Sequence, residues 1–278
     1  MASYIQHLDD LREKYQDGIV SLLIGTGFSQ NAYHNMPLWD DLLLDMSKEQ
    51  LDDNLSESEL KDIIKKNPTT IVETYLKSHS RSQLDSYIEE RIPFIDQDLN
   101  IWFSPKTGYE PILKGVINDD DLYLHYQLLN GNWLNIYTTN YDNLLELASV
   151  RRGKDYKVIT HRNDFPGSIR NRNIIKLHGS IIDPRTDVIS QSFDRQEDIR
   201  YVISKTDYEQ YASKHDAFCN VIKVNLLQGS FCLIGFSGTD PNFLKWVEWL
   251  KNIIDATLLN QAKEKICPSV YIIDLSKE

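Results

Sequence analysis

Cysteine is scarce in this chain: Cys219, Cys232 and Cys267 are widely spaced, and no two form a C-x-x-C pair. Three thiols cannot build a four-thiolate zinc site within one chain, and an odd, scattered set does not make a disulfide framework. Buried free thiols are expected. Long apolar runs are missing too. No stretch approaches the roughly 20 residues of a membrane span. Asp9, Asp10, Arg12, Glu13 and Lys14 break up any signal-peptide pattern. A cytoplasmic protein without membrane contact is the expectation. Cations are also in deficit, with 30 Lys plus Arg against 41 Asp plus Glu and a net charge of −11. A general nucleic-acid binder needs many phosphate-neutralising cations, so direct nucleic-acid binding is not expected. A small anionic ligand is still allowed, because backbone N–H groups can bind phosphate without Lys or Arg.

What is present is a regular alternation of strand and helix signals. Ile19 to Ile24 is apolar apart from Ser21 and is bounded by Gly18 and Gly25, the mark of a strand buried on both faces. Further strand signals fall at Leu134–Thr139, Tyr156–Thr160, Ile174–His178, Ser230–Phe236 and Ser269–Asp274. Helical patterns lie between them at Asp142–Arg151, Lys205–Gln228 and Pro241–Leu259. This order implies an α/β fold of Rossmann-like type, a mostly parallel sheet with helices on both faces. The first 17 residues read as a short helix. The stretch from about 40 to 130 reads as an inserted, mostly helical layer. One domain over residues 1–278 is expected. The polar, poorly periodic stretch Ile182 to Arg200 is expected to be a long loop or flap.

The polar residues gather where strands end. Thr138-Thr139-Asn140-Tyr141-Asp142 follows apolar Trp133, Leu134, Ile136 and Tyr137 and precedes a helix beginning near Leu144. In open α/β sheets, ligands bind outside the carboxyl ends of the strands, so these amide, hydroxyl and carboxylate groups are placed for a ligand. Gly25-Thr26-Gly27-Phe28-Ser29 follows the first strand. Its glycines allow close approach to a pyrophosphate, or simply a tight turn. Gln30 stands where a dinucleotide fingerprint would have its third glycine. His178-Gly179 ends another strand. An imidazole with an ordinary pKa of about 6.5 can take a proton near neutrality, although a lone histidine is often structural.

Gly235-Phe236-Ser237-Gly238-Thr239-Asp240-Pro241 has the composition of a loop that touches sugar or phosphate. Asp240-Pro241 is also a good helix start, and the cap is the favoured reading for Asp240. Asp274 ends the last strand, where it could hold ribose hydroxyls or simply be solvated. The histidines show no metal-ligand spacing, and His34, His79, His125 and His215 stand alone. Trp246 and Trp249 lie at helical spacing with Phe243, Val247 and Leu250, which reads as core or interface.

Taken in order, these segments resemble the sirtuin superfamily. Gly25-Thr26-Gly27-Phe28-Ser29 is similar to its G-A-G-x-S loop, and Thr138-Thr139-Asn140-Tyr141-Asp142 to its T-Q-N-x-D motif. Leu177-His178-Gly179 resembles its catalytic H-G. Gly235-Phe236-Ser237 resembles its G-T-S loop, and Ile273-Asp274 falls where sirtuins have I-N. Two departures matter. The deacylase zinc cysteines are absent, and Pro37-Leu38-Trp39-Asp40-Asp41-Leu42 replaces G-I-P-D-F-R. That P-x-W-x-x-L pattern is similar to bacterial sirtuin-like domains of antiphage defence proteins.

The resemblance implies an NAD+ glycohydrolase that releases nicotinamide and ADP-ribose, with NAD as substrate and no zinc. By motif, Gly25, Thr26, Gly27 and Ser29 would hold the pyrophosphate region. Asn140 would position the nicotinamide ribose and the attacking water, and Asp142 would bond the carboxamide. His178 would be the general base, and Ser237 and Asp274 would contact the adenosine side. An enzyme that depletes NAD must be held silent, so a homo-oligomer, a protein partner or a fused domain is expected to gate it. The alternatives are an NAD or ADP-ribose sensor that does not cleave its ligand, and an NAD-dependent deacylase.

Overall fold

A computed structural model describes residues 4–50, 56–92, 94–96, 102–103, 111–112, 117–168, 171–183, 200–257 and 270–273. The first helix, α1 (Tyr4–Gln16), leads into strand β1 (Val20–Ile24), all five residues of which are buried. β1 lies in the middle of a six-stranded parallel sheet. Its neighbours are β5 (Ile136–Thr138), with Leu22 opposite Ile136, and β8 (Ser230–Ile234), with Leu22 opposite Cys232. β7 (Arg172–Lys176) and β6 (Tyr156–Ile159) continue the sheet beyond β5, and β9 (Val270–Ile273) closes the other edge. The α/β architecture with a parallel sheet is therefore as the sequence implied.

Side chains alternate across each strand, and this divides the core in two. Val20, Leu22, Ile24, Ile136 and Ile174 face one way, into a cluster with the helices of the insertion. Those helices are α3 (Trp39–Gln50), α4 (Glu57–Lys66), α5 (Pro68–Tyr75), α6 (Arg81–Arg91) and α7 (Tyr123–Leu129), followed after β5 by α8 (Leu144–Arg151). Leu23, Tyr137, Ile175, Phe231 and Leu233 face the other way. They meet α9 (Lys205–Lys214), α10 (Asp216–Gln228) and α11 (Pro241–Thr257). Trp246 is buried in this second cluster and Trp249 packs against it, as their helical spacing implied. Cys219 and Cys232 are buried free thiols; Cys267 lies outside the described residues.

Two elements refine the sequence reading. Within the mostly helical insertion, β2 (Phe94–Ile95), β3 (Trp102–Phe103) and β4 (Pro111–Ile112) form a small antiparallel sheet. Two-residue strands are too short to show a period of two. The single helix read over Lys205–Gln228 is two, separated at His215, whose backbone leaves the helical region at φ −119° and ψ 39°. The segment 184–199, the bulk of the expected flap, lies outside the described residues.

The insertion is fastened to α9 by charge. Arg81 grips both oxygens of Asp207 at 2.9 and 2.8 Å and also donates to the Tyr201 carbonyl. Asp207 in turn accepts from the Ile203 and Ser204 amides. Both Asp207 bonds come from Nη1, while Nε donates to Asp85 at 3.1 Å and Nη2 serves the Tyr201 carbonyl, so the guanidinium is held through all three nitrogens.

Candidate active site

The chain leaves β1 toward the insertion and leaves β8 toward α11, on opposite faces. A crevice opens at the carboxyl ends of two strands whose connections diverge in this way. The short one-turn helix α2 (Thr26–Ser29) follows β1 directly at this end of the sheet. The two loops touch through glycine. A Cβ on Gly25 would come 2.3 Å from the Gly235 carbonyl, and one on Gly235, at φ +60°, would come 2.3 Å from the Phe28 nitrogen. The Gly25 and Gly27 amides donate to Ile234 and Gly235 carbonyls at 3.1 Å. These glycines therefore serve close packing of one loop on the other.

Strand β5 delivers the next group. Thr138 donates its hydroxyl to the Ile24 carbonyl at 3.1 Å and accepts the Asn140 amide at 3.0 Å. The motif is thereby locked to the end of β1. Asn140 Nδ2 donates to Ser29 Oγ at 2.8 Å, and Ser29 Oγ donates to Asp142 Oδ2 at 2.8 Å. Asp142 Oδ1 accepts the Leu144 amide at 3.1 Å, which starts α8. All three side chains are buried, and Asn140 Oδ1 has no hydrogen-bond partner. A buried amide oxygen without a donor is costly, and it is the natural place for a ligand hydroxyl or water. Tyr141 points away and donates to the Val202 carbonyl at 2.9 Å, a packing role.

Lys176 at the end of β7 was not singled out from the sequence. Its ammonium is wholly buried, lies 3.0 Å from Glu146, and donates to the carbonyls of Tyr141 and Asp142. It braces the backbone of the motif from below. No sequence signal marks it beyond a charge within the short apolar run Ile174–Leu177.

His178 is buried just beyond β7. Gly179 follows at φ +98°, and a Cβ there would come 2.0 Å from the Arg200 carbonyl, so only glycine fits. The imidazole is flanked edge-on by Tyr208 and Tyr211 of α9, with ring centroids 5.6 and 6.1 Å away. Its Nε2 is 3.3 Å from Asp240 Oδ2, within ion-pair distance but out of line for a hydrogen bond. Burial holds the imidazole below its ordinary pKa, while Asp240 and Asp207 pull the other way. Asp240 also caps α11, as expected: Oδ1 accepts the Asn242 and Phe243 amides at 3.0 and 2.9 Å.

A second histidine is present that sequence spacing did not find. His125 of α7 is fully buried, and its ring centroid lies 4.7 Å from that of Phe28. Neither ring nitrogen has a hydrogen-bond partner. Its pKa is lowered to about 4 by burial, opposed by the Asp142 charge.

The structure thus brings together Gly25, Thr26, Gly27, Ser29, Asn140 and Asp142, with His178 at the end of the adjoining strand. Ser237 is exposed on the loop after β8 and pairs with Thr239, 2.7 Å away. Asp274 lies outside the described residues. Among the described residues, no group of three or more His, Cys, Asp or Glu could hold a metal ion, and no helix is long and apolar enough to cross a membrane.

The family model described as "SIR2-like domain" matches residues 134–269. That stretch of the chain is similar to SIR2-like domains. The matched stretch includes Asn140, Asp142, His178 and Ser237, while the Gly25–Ser29 loop precedes it. Similar curated proteins include "Defense-associated sirtuin 2" of Bacillus subtilis, 27% identical over 150 residues, which cover 53% of this chain and 14% of that protein. "NAD(+) hydrolase ThsA" of Bacillus cereus (strain MSX-D12) is 31% identical over 108 residues, 38% of this chain and 20% of that protein. The same-named protein of Cytobacillus dafuensis is 26% identical over 174 residues, 60% and 32% respectively. The chain therefore matches a third or less of the length of these relatives.

Proposed function

We propose that this SIR2-like domain, a single unit over residues 1–278 with its helical insertion at about 40–130, is an NAD+ glycohydrolase used in antiphage defence. The observation that carries the reading is Asn140: its Nδ2 is fixed by Ser29 while its buried Oδ1 is left without a donor. The names of the relatives, a defence-associated sirtuin and NAD(+) hydrolases, support it.

The reaction is hydrolysis of the ribose–nicotinamide bond. The bonding pair leaves with the pyridinium nitrogen, so nicotinamide departs neutral and no strong acid is needed. Positive charge develops on the sugar, as in glycoside cleavage. Water then forms the new bond to the anomeric carbon and gives its proton to His178. Asn140 Oδ1 accepts from the ribose or the water, Asp142 accepts from the carboxamide, and the Gly25–Ser29 loop with Ser237 and Asp274 holds the remainder of the dinucleotide. Positioning is the larger part of the rate, and a general base typically adds about 10²–10⁴-fold. Activity is gated by a homo-oligomer, a protein partner or a fused domain in the cytoplasm.

Chromatography of NAD incubated with the protein and its activating partner tests the reading. Nicotinamide should appear with the wild type and be lost in Asn140→Ala and His178→Ala. Full activity in both variants would remove the site assignment; tight binding of NAD with no product under any condition would instead make the domain a sensor.

A further inference from the structure

Asp240 has two oxygens facing two different tasks. Oδ1 takes the first amides of α11, and that fixes the carboxylate rigidly. Oδ2 is thereby presented to His178 Nε2 at 3.3 Å, with both side chains buried from solvent. Capping alone does not require the second contact, since Asn caps a helix as well as Asp does. Only the charged residue gives an imidazole an acceptor that stays an acceptor. We propose that Asp240 is a positioning residue for His178, holding the ring proton on Nε2 and turning Nδ1 free to receive one. This rests on His178 being the base of the proposed NAD cleavage.

The chemistry follows the orienting logic of a base held by a carboxylate. A neutral imidazole has one N–H and one lone pair. A carboxylate beside Nε2 accepts that N–H, which leaves the lone pair on Nδ1. As Nδ1 takes the proton from water, positive charge spreads over the ring and is offset by Asp240. The contact is out of line in this structure. Such contacts often tighten only when substrate closes the site. The other groups facing His178 are Asp207, Tyr208 and Tyr211, all on α9. Asp207 is already engaged by Arg81, and the Tyr208 hydroxyl is itself turned toward Asp240. Asp240 is therefore the one of these carboxylates in direct reach of the ring.

Asp240→Asn separates the tasks. The amide oxygen keeps the cap, and the amide N–H₂ then faces Nε2, which must become the acceptor. Full-length protein labelled with ¹⁵N-histidine, with His178→Gln to assign the signal, reads the ring directly and without NAD. The wild type should show the Nε2–H tautomer. In Asp240→Asn the tautomer should switch to Nδ1–H, and the titration midpoint should fall by about one pH unit as the opposite charge is lost. Turnover in the presence of activator should fall about tenfold or more in kcat with KM for NAD little changed. An identical tautomer and midpoint in the two proteins would overturn the proposal, even if kcat fell. If no preparation cleaves NAD, the functional reading fails, but the tautomer measurement still decides whether Asp240 orients the ring.

Discussion

Asn140 and Asp142 are joined through a single hydroxyl: Ser29 accepts from Asn140 Nδ2 and donates to Asp142 Oδ2, each at 2.8 Å. The loop after β1 thereby sets the two polar side chains proposed to act in the motif after β5. Ser29→Ala should leave the fold intact and free both. With Asn140 able to rotate, its Oδ1 no longer aims at one point. We predict a fall in kcat of about 10- to 100-fold, within the range that misplaced catalytic groups cost. Thermal unfolding beside steady-state nicotinamide release checks this, and unaltered turnover would remove Ser29 from the site.

Lys176 makes a different prediction, about stability. Its buried ammonium is shared between Glu146 and two backbone carbonyls. Lys176→Met leaves the largely shielded Glu146 carboxylate without its cation, which should cost about 3 kcal/mol, the lower end of what removing one partner of a buried pair costs. Replacing Glu146 by Leu in the same protein should restore part of that. Urea denaturation midpoints of the single and double variants measure it.

Gly179 and Gly153 form a controlled pair. Both have positive φ, +98° and +57°, but a Cβ at Gly179 meets the Arg200 carbonyl at 2.0 Å while one at Gly153 meets nothing within 4 Å. Gly153→Ala should cost only the left-handed strain, about 1 kcal/mol. Gly179→Ala must also displace the 200–201 backbone and with it His178, whose carbonyl accepts the Val202 amide. It should cost about 3 kcal/mol or more and abolish turnover. Equal effects at the two positions would contradict the close approach.

His125 ties stability to pH. Its folded pKa is about 4, below the ordinary value of about 6.5 for an unfolded chain. The unfolded state then binds the proton more readily. Its contribution to stability is complete above about pH 6.5 and is lost as pH falls toward 4, by up to about 3 kcal/mol. His125→Leu should flatten that slope. At neutral pH it should also raise stability by about 1–3 kcal/mol, because two unpartnered ring nitrogens are removed from the core. Chemical denaturation at several pH values checks both.

The strand ends were legible because parallel strands buried on both faces are written as short apolar runs. Val20–Ile24 and Ser230–Ile234 pair in register beside Gly25 and Gly235, the two glycines that the sequence placed at their ends. Asn140 and Ser29 were singled out for different parts of the ligand, yet they meet, because the parallel register sets Ile24 beside Thr138. His125 was not legible. One histidine in an apolar helix has no spacing that distinguishes it from core, and its relation to Phe28 and Asp142 exists only after three segments pack. Lys176 was hidden for the same reason, and the second task proposed for Asp240 depends on a strand and a helix that lie far apart in the chain. The two-residue strands of the insertion gave no periodic signal at all.

Water is the proposed acceptor in NAD cleavage at this site. Incubation of the protein, its activating partner and NAD in H₂¹⁸O, followed by mass analysis of the products, tests it most directly. Nicotinamide is expected together with ADP-ribose carrying one ¹⁸O at the anomeric position, and neither product with Asn140→Ala. Intact NAD in every activated sample, or ADP-ribose release that is undiminished in Asn140→Ala, would contradict it.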